Sequence, residues 1–457
     1  MKDYLYIFVL LFFSLNIYSQ DYDWDGITFI EKPSINNNAT SAQFTIVEDD
    51  YKYITGRFEG YVDFQGSTLT SNNLYGAFIA KTDENDSLLW IRKFAESIGN
   101  SVIYPIRVIE SDNNNIYLSI SFIDTINVYG QQYIANQLVN EYSQSLILKF
   151  DEQGNVLNVF YLEGSCLKNI ENLQIDEQQN IYIYGGYGND TWSTTSSCTC
   201  VFDGTTYSTT STDIFLAKYD PLGNLIWVNT LEANKNIYPL RFGIIENSIY
   251  LSGSVYNSNI PIDFGTYTLN YPSNYDKGGF MAKYDTSGSF KWVKYYGAKG
   301  WDSYVSSIDV EILNNNTIIV GGSVLTQSES AHLYFQNSSP LTRNSSGAET
   351  NYFIIAYDSL GNIKWKDLAQ CSGWDAIYGM SSDSKANLLV TGYYHDQFFF
   401  GNDTLPYGYG YLWVGTFDSI GNKLWVKKVE GNGFTSGEEI EIDSKDNIYV
   451  LGGTTSN

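Results

Sequence analysis

One 13-residue pattern recurs six times in this chain, and no other feature restricts its fold as much. The copies read FIAKTDENDSLLW from Phe78, LILKFDEQGNVLN from Leu146, FLAKYDPLGNLIW from Phe215, FMAKYDTSGSFKW from Phe280, FIIAYDSLGNIKW from Phe353 and WVGTFDSIGNKLW from Trp413. In each, an alternating strand runs into an aspartate, a short Gly/Asn turn follows, and a second strand leads to tryptophan. Asp220 suits the first position of a type I turn, Pro221 pre-sets φ at the second, and Gly223 accepts the left-handed conformation that closes a hairpin. The turn aspartates are Asp83, Asp151, Asp220, Asp285, Asp358 and Asp418, 60 to 73 residues apart. Because each occupies the same place in its repeat, they read as caps of their own turns and not as a catalytic series. Trp90, Trp227, Trp292, Trp365 and Trp425 each follow an aspartate by seven residues and read as packing at the rim of each unit. Two copies deviate, with Asp86 in the glycine position and Asn158 in the tryptophan position.

A second hairpin precedes each of these. Its clearest copies are LQIDEQQNIYIYGG from Leu173 and IEIDSKDNIYVLGG from Ile440, the latter being the seventh of its kind. Each unit is thus two hairpins, four short strands without helical periodicity. A four-stranded unit at this period predicts an all-β fold, a β-propeller, in which neighbouring blades bury both faces of every sheet. Seven blades are favoured, the last a composite closed by the N-terminal strand DWDGITFIEK; the alternative is six blades with a terminal hairpin that would be marginal alone. The expected units cover about residues 42–104, 105–169, 170–238, 239–304, 305–378, 379–439 and, in part, 440–457, within one domain of residues 21–457.

Taken together, the tandem FLAKYDPLGNLIW and NIYVLGG-type hairpins resemble the bacterial secreted β-propeller repeat (SBBP) proteins over about residues 40 to 453. That resemblance implies a secreted propeller without an assigned activity, and many such relatives carry a further C-terminal sorting or adhesion domain.

Residues 1–20 independently read as a cleaved signal peptide: Lys2, then an apolar run from Tyr4 to Phe13, then SLNIYSQ. The run is shorter than the roughly 20 residues a membrane-spanning helix needs. The expected localisation is therefore secreted, extracellular or at the cell surface, with no membrane span. A formal charge of −25 repels phosphate backbones and anionic lipid, which argues against nucleic acid as a partner. An extracellular protein or glycan fits better, bound by a monomer.

Candidate chemistry is sparse. Asp21, Asp23 and Asp25 in DYDWDG place oxygen ligands at alternate positions before Gly26, like the start of an EF-hand loop, and make calcium the one cofactor suggested. Glu31 falls one place short of the closing ligand. His332 and His395 are the only histidines, too few for a His-rich zinc site or an ordinary Ser-His-Asp arrangement. Cys166 is expected to bridge Cys198 or Cys200, pinning a loop of the third unit; free or differently paired thiols are the alternative.

Three long inserts rich in Tyr, Ser, Thr and Asn, spanning 187–212, 256–277 and 325–351, are the expected recognition surface. The resulting expectation is a non-catalytic binding or adhesion scaffold for protein or glycan, with no catalytic residue assigned. An extracellular carbohydrate-active hydrolase or lyase is the alternative, ahead of a quinoprotein-like dehydrogenase. Carboxylates or arginines converging on a deep axial pocket would favour the enzyme.

Overall fold

In a computed structural model of the chain, the described residues are 5–13, 24–30, 41–47 and 51–456, apart from 73–74, 112–114, 136–142, 163–166, 189–197, 234–236, 257–260, 271–276, 299–303, 315, 327–331, 343–348, 370–372 and 430–433. The described strands fall into seven antiparallel four-stranded meanders. The third blade shows the plan: an inner strand Leu167–Ile175, then Ile181–Gly188, then Thr212–Tyr219, and an outer strand Leu225–Ala233. The first two blades share one long strand, Leu88–Ser111, which is outer strand to one and inner strand to the next. Each inner strand touches that of the next blade, and the last, Thr435–Ile442, touches the first, Ser41–Val47. The ring is closed, and the fold is a β-propeller.

Alternation explains why the blades need one another. In the third blade, Ile214, Phe215, Leu216 and Ala217 are all buried. Ile214 and Leu216 join the core shared with the fourth blade, while Phe215 and Ala217 face the other way, into the core containing Ile147 of the second. Such side chains contribute about 1.5–3 kcal/mol each when fully buried. A lone blade could cover only one of these faces.

The seventh blade is composite, as expected, but takes two N-terminal strands. Its order is Thr435–Ile442, Ile448–Ser456, Leu5–Phe13, Trp24–Ile30. The expected closing strand, Trp24–Ile30, is outermost, and Leu5–Phe13 lies between it and Ile448–Ser456, with Leu11 opposite Val450. Leu5–Phe13 falls within the segment that reads as a signal peptide from the sequence. A short continuous apolar run suits either a leader or a strand buried on both faces, and periodicity cannot separate the two.

The inserts add a second device. In six blades an inserted hairpin buries an apolar pair: Val62/Phe64, Ile126/Val128, Cys200/Phe202, Ile262/Phe264, Leu333/Phe335 and Phe398/Phe400. Where pairing is described, the hairpin completes the preceding blade. Ile262 lies opposite Ala233 of the third blade's outer strand, Phe335 opposite Tyr296 of the fourth, and Val128 opposite Ala95 of the first. Outer edges that would otherwise invite foreign strands are covered this way.

Inner strands of blades two to seven each carry a register break, at Pro105/Arg107, Ile170/Asn172, Pro239/Phe242, Ser307/Asp309, Ile377/Gly379 and Gly437/Glu439. These bulges re-aim side chains near the ring's inner wall.

Candidate functional site

Each sequence-predicted turn aspartate accepts hydrogen bonds from its own turn. Asp220 Oδ1 accepts the backbone N–H of Leu222 at 2.9 Å and of Asn224 at 2.8 Å, and its Oδ2 accepts the Asn224 amide at 2.7 Å. The two backbone bonds recur at Asp83, Asp151, Asp285, Asp358 and Asp418, and the amide bond at Asp151, Asp358 and Asp418. The bonds from Asn224 hold the Asp220 carboxyl below its ordinary pKa. At Asp151, Asp358 and Asp418 desolvation pushes the pKa up, but the turn's hydrogen bonds outweigh it and the net shift is down. Asp176, Asp383 and Asp443 cap the inner hairpins identically. The Asp-x-x-x-Asn spacing shared by both hairpin types was the signal for them.

The tryptophans latch neighbouring blades. The indole Nε1 of Trp90, Trp227, Trp292 and Trp365 donates to the backbone carbonyl of Glu152, Thr286, Ser359 and Ser419 at 3.1–3.2 Å, always in the next blade's outer turn. The ring lies against that turn's glycine. Trp425 is half-buried against the core between the sixth and seventh blades. At the second blade, where Asn158 replaces tryptophan, Phe160 covers Gly223 instead. Asp86, in the glycine position of the first blade, forms a salt bridge with buried Lys52.

Charged groups on the inner strands tie blades together. Arg241 Nη1 donates to the Glu171 carbonyl at 2.8 Å, and its Nε lies 3.9 Å from Asp309 Oδ1. Asp309 Oδ2 accepts the Met380 N–H at 3.1 Å, and Glu311 accepts the Ser382 hydroxyl at 2.7 Å. Desolvation raises the Glu171 pKa despite Arg241 and Asn169. This run of bonds links blades three to six.

The exposed aromatic surface lies elsewhere, on the sixth blade. Tyr409 is 77% exposed, Tyr407 74% and Trp374 55%. His395 stands at the centre, its ring centroid 5.2 Å from that of Tyr409, 5.9 Å from Tyr393 and 6.0 Å from Phe434. Its backbone N–H donates to the Trp374 carbonyl at 3.0 Å. Gly410, at φ +74°, lets Phe434 sit where a Cβ would be 2.1 Å from the ring. Burial lowers the His395 pKa against the pull of Asp396. The Tyr407 hydroxyl bonds Asp396, which raises the tyrosine pKa. Exposed tyrosine and tryptophan beside carboxylates form a surface suited to cationic side chains. This face is not among the three inserts expected from the sequence; the run PYGYGYLW is the signal for it.

The remaining candidates are placed as follows. Asp21 and Asp23 lie outside the described residues, and Asp25 is in the outer strand Trp24–Ile30. Cys166 and Cys371 lie outside the described residues, as does the side chain of Cys198. Cys200 is buried with Leu162, Phe202 and Phe215, at the position other inserts fill with Val, Ile, Leu or Phe. Among the described residues, no cluster of three His, Cys, Asp or Glu could hold a metal ion.

Asp213, at the start of a third strand, is buried and accepts the Ala233 N–H at 3.0 Å. Desolvation, with Glu232 nearby, pushes its pKa up to about 6. Folding therefore favours the protonated carboxyl. That contribution is fully present below the unfolded value near 4 and is lost as pH rises through about 6. Asp213→Asn should exceed the parent in stability by about 1–3 kcal/mol above pH 7, the two converging below pH 4, as read by urea unfolding across pH. A constant difference at every pH would refute the assignment.

No family model matches the chain. It is similar to an uncharacterized WD repeat-containing protein of Acanthamoeba polyphaga mimivirus, with 22% identity over 453 residues. The match covers 84% of this chain and 32% of that protein, so the chain spans about a third of its relative's length. The similarity accords with a repeat β-propeller.

Proposed function

We propose that the chain is an exported, non-catalytic propeller that holds a basic protein segment against the aromatic face of its sixth blade. The observation carrying this reading is the joined set Trp374, His395, Tyr407 and Tyr409, rigidly backed yet open to solvent. Aromatic anchors of this type dominate protein interfaces. The flanking Asp396 and the net charge of −25 favour arginine or lysine over acidic partners. The inner-strand charges support a scaffold, since Arg241, Asp309 and Glu311 are each engaged across a blade boundary.

Export rests on the apolar run at Tyr4–Phe13. Its removal would withdraw the third strand of the closing blade and leave Trp24–Ile30 as the segment nearest in sequence to re-pair with Ile448–Ser456. Mass spectrometry of secreted material should find an N-terminus near Asp21.

Binding is tested with an oligoarginine peptide, an oligoglutamate control and a neutral glycan array. The triple variant Trp374→Ala/Tyr407→Ala/Tyr409→Ala should bind the basic peptide about thirtyfold more weakly, with its melting temperature unchanged. Equal binding by parent and variant would move the site elsewhere; glycan binding lost in the same variant would replace protein by carbohydrate.

A further inference from the structure

The junction between the second and third blades is built differently from its neighbours. Asn158 stands where the other latches have tryptophan, so among the described residues no indole reaches the Pro221 carbonyl, counterpart of the four indole-accepting carbonyls. Phe160 has moved onto Gly223, where a Cβ would lie 2.1 Å from its ring. Beside it opens a cavity of about 400 Å³ with walls that include Ile147, Phe160, Leu162, Phe202 and Tyr219. The volume falls within the roughly 300–1,000 Å³ typical of small-molecule sites. Asp203, exposed in the tight turn of the third blade's inserted hairpin, borders the cavity and supplies a carboxylate there.

We propose that this cavity binds a small planar aromatic amine, its ring between Phe160 and Tyr219 and its ammonium group toward Asp203. Two features select that chemistry. Aromatic and aliphatic walls favour a flat apolar body, at a rim position where four other junctions hold an indole. Among the described residues, the one charged group bordering the cavity is acidic, and it would repel a carboxylate attached to the same ring. The site is distinct from the aromatic face of the sixth blade, so either can fail without the other.

Tryptamine is the probe, with indole and indole-3-acetate as the neutral and anionic comparisons, read by saturation-transfer NMR and calorimetry on the full chain. Tryptamine should bind saturably, ahead of indole, with indole-3-acetate weakest. Asp203→Asn should weaken tryptamine about fivefold and leave indole unchanged, since the ion pair is exposed. Asn158→Trp should restore the latch over Gly223, drive Phe160 into the cavity and cut both ligands at least about tenfold. Should that variant misfold, Asp203→Asn still decides the matter. Absence of saturable tryptamine binding at millimolar concentration would overturn the proposal, as would indole-3-acetate binding as well as tryptamine, or unchanged tryptamine affinity in Asp203→Asn.

Discussion

Gly421→Ala should destabilise the propeller by about 2–5 kcal/mol, while Gly66→Ala should cost only about 1–2 kcal/mol. Both glycines have left-handed backbone, φ +91° and +80°. A Cβ at Gly421 would lie 2.7 Å from the Trp365 ring, whereas at Gly66 nothing stands within 4 Å. The common part of the two penalties is backbone strain, about 1–2 kcal/mol for a residue with a Cβ. The excess at Gly421 is overpacking against the latch, about 1–3 kcal/mol. Guanidinium unfolding midpoints with unchanged slopes measure both. Equal losses at the two sites would show that the indole yields freely and that the latch does not hold the blades.

Deleting residues 1–30 from the uncleaved chain should have a larger effect, because it removes both N-terminal strands from the closing blade. Val450 and Leu451, now fully buried on Ile448–Ser456, would flank an open edge. Exposing these two alone forfeits on the order of 3–6 kcal/mol. The cores on either side would be breached as well, since Val450 packs with Val414 of the sixth blade and Leu451 with Ile54 of the first. The truncated chain should unfold at lower denaturant and self-associate through the bared edge, read by unfolding curves and light scattering. A monomer of parental stability would mean that six blades suffice.

Much of this architecture was legible because short-range chemistry repeats. Asp220, Pro221 and Gly223 announce their turn without tertiary context, and six copies at one period leave few alternatives to radial blades. What escaped the sequence depends on neighbours distant along the chain. Leu5–Phe13 as a strand is one case, since one of its two partners lies more than 400 residues away and its composition equally suits a leader. The inserts are another: Val62 and Phe64 look like loop residues until they pack against a blade. The aromatic face went unread because Trp374, His395 and Phe434 come from separate segments, a strand and two connections, and meet only in the fold. The role of Phe160 was equally hidden, since its meaning comes from an absent indole two residues earlier.

The inserted hairpins impose a direction on the ring. Those of the second, fourth and fifth blades complete the rim of the blade before, so damage to one of these repeats is felt by its predecessor. Duplicating or excising a unit in evolution or by engineering should therefore succeed only when the cut preserves this borrowed edge. A boundary drawn between a rim strand and the following insert would leave one module unfinished and its successor with a hairpin that has nothing to close.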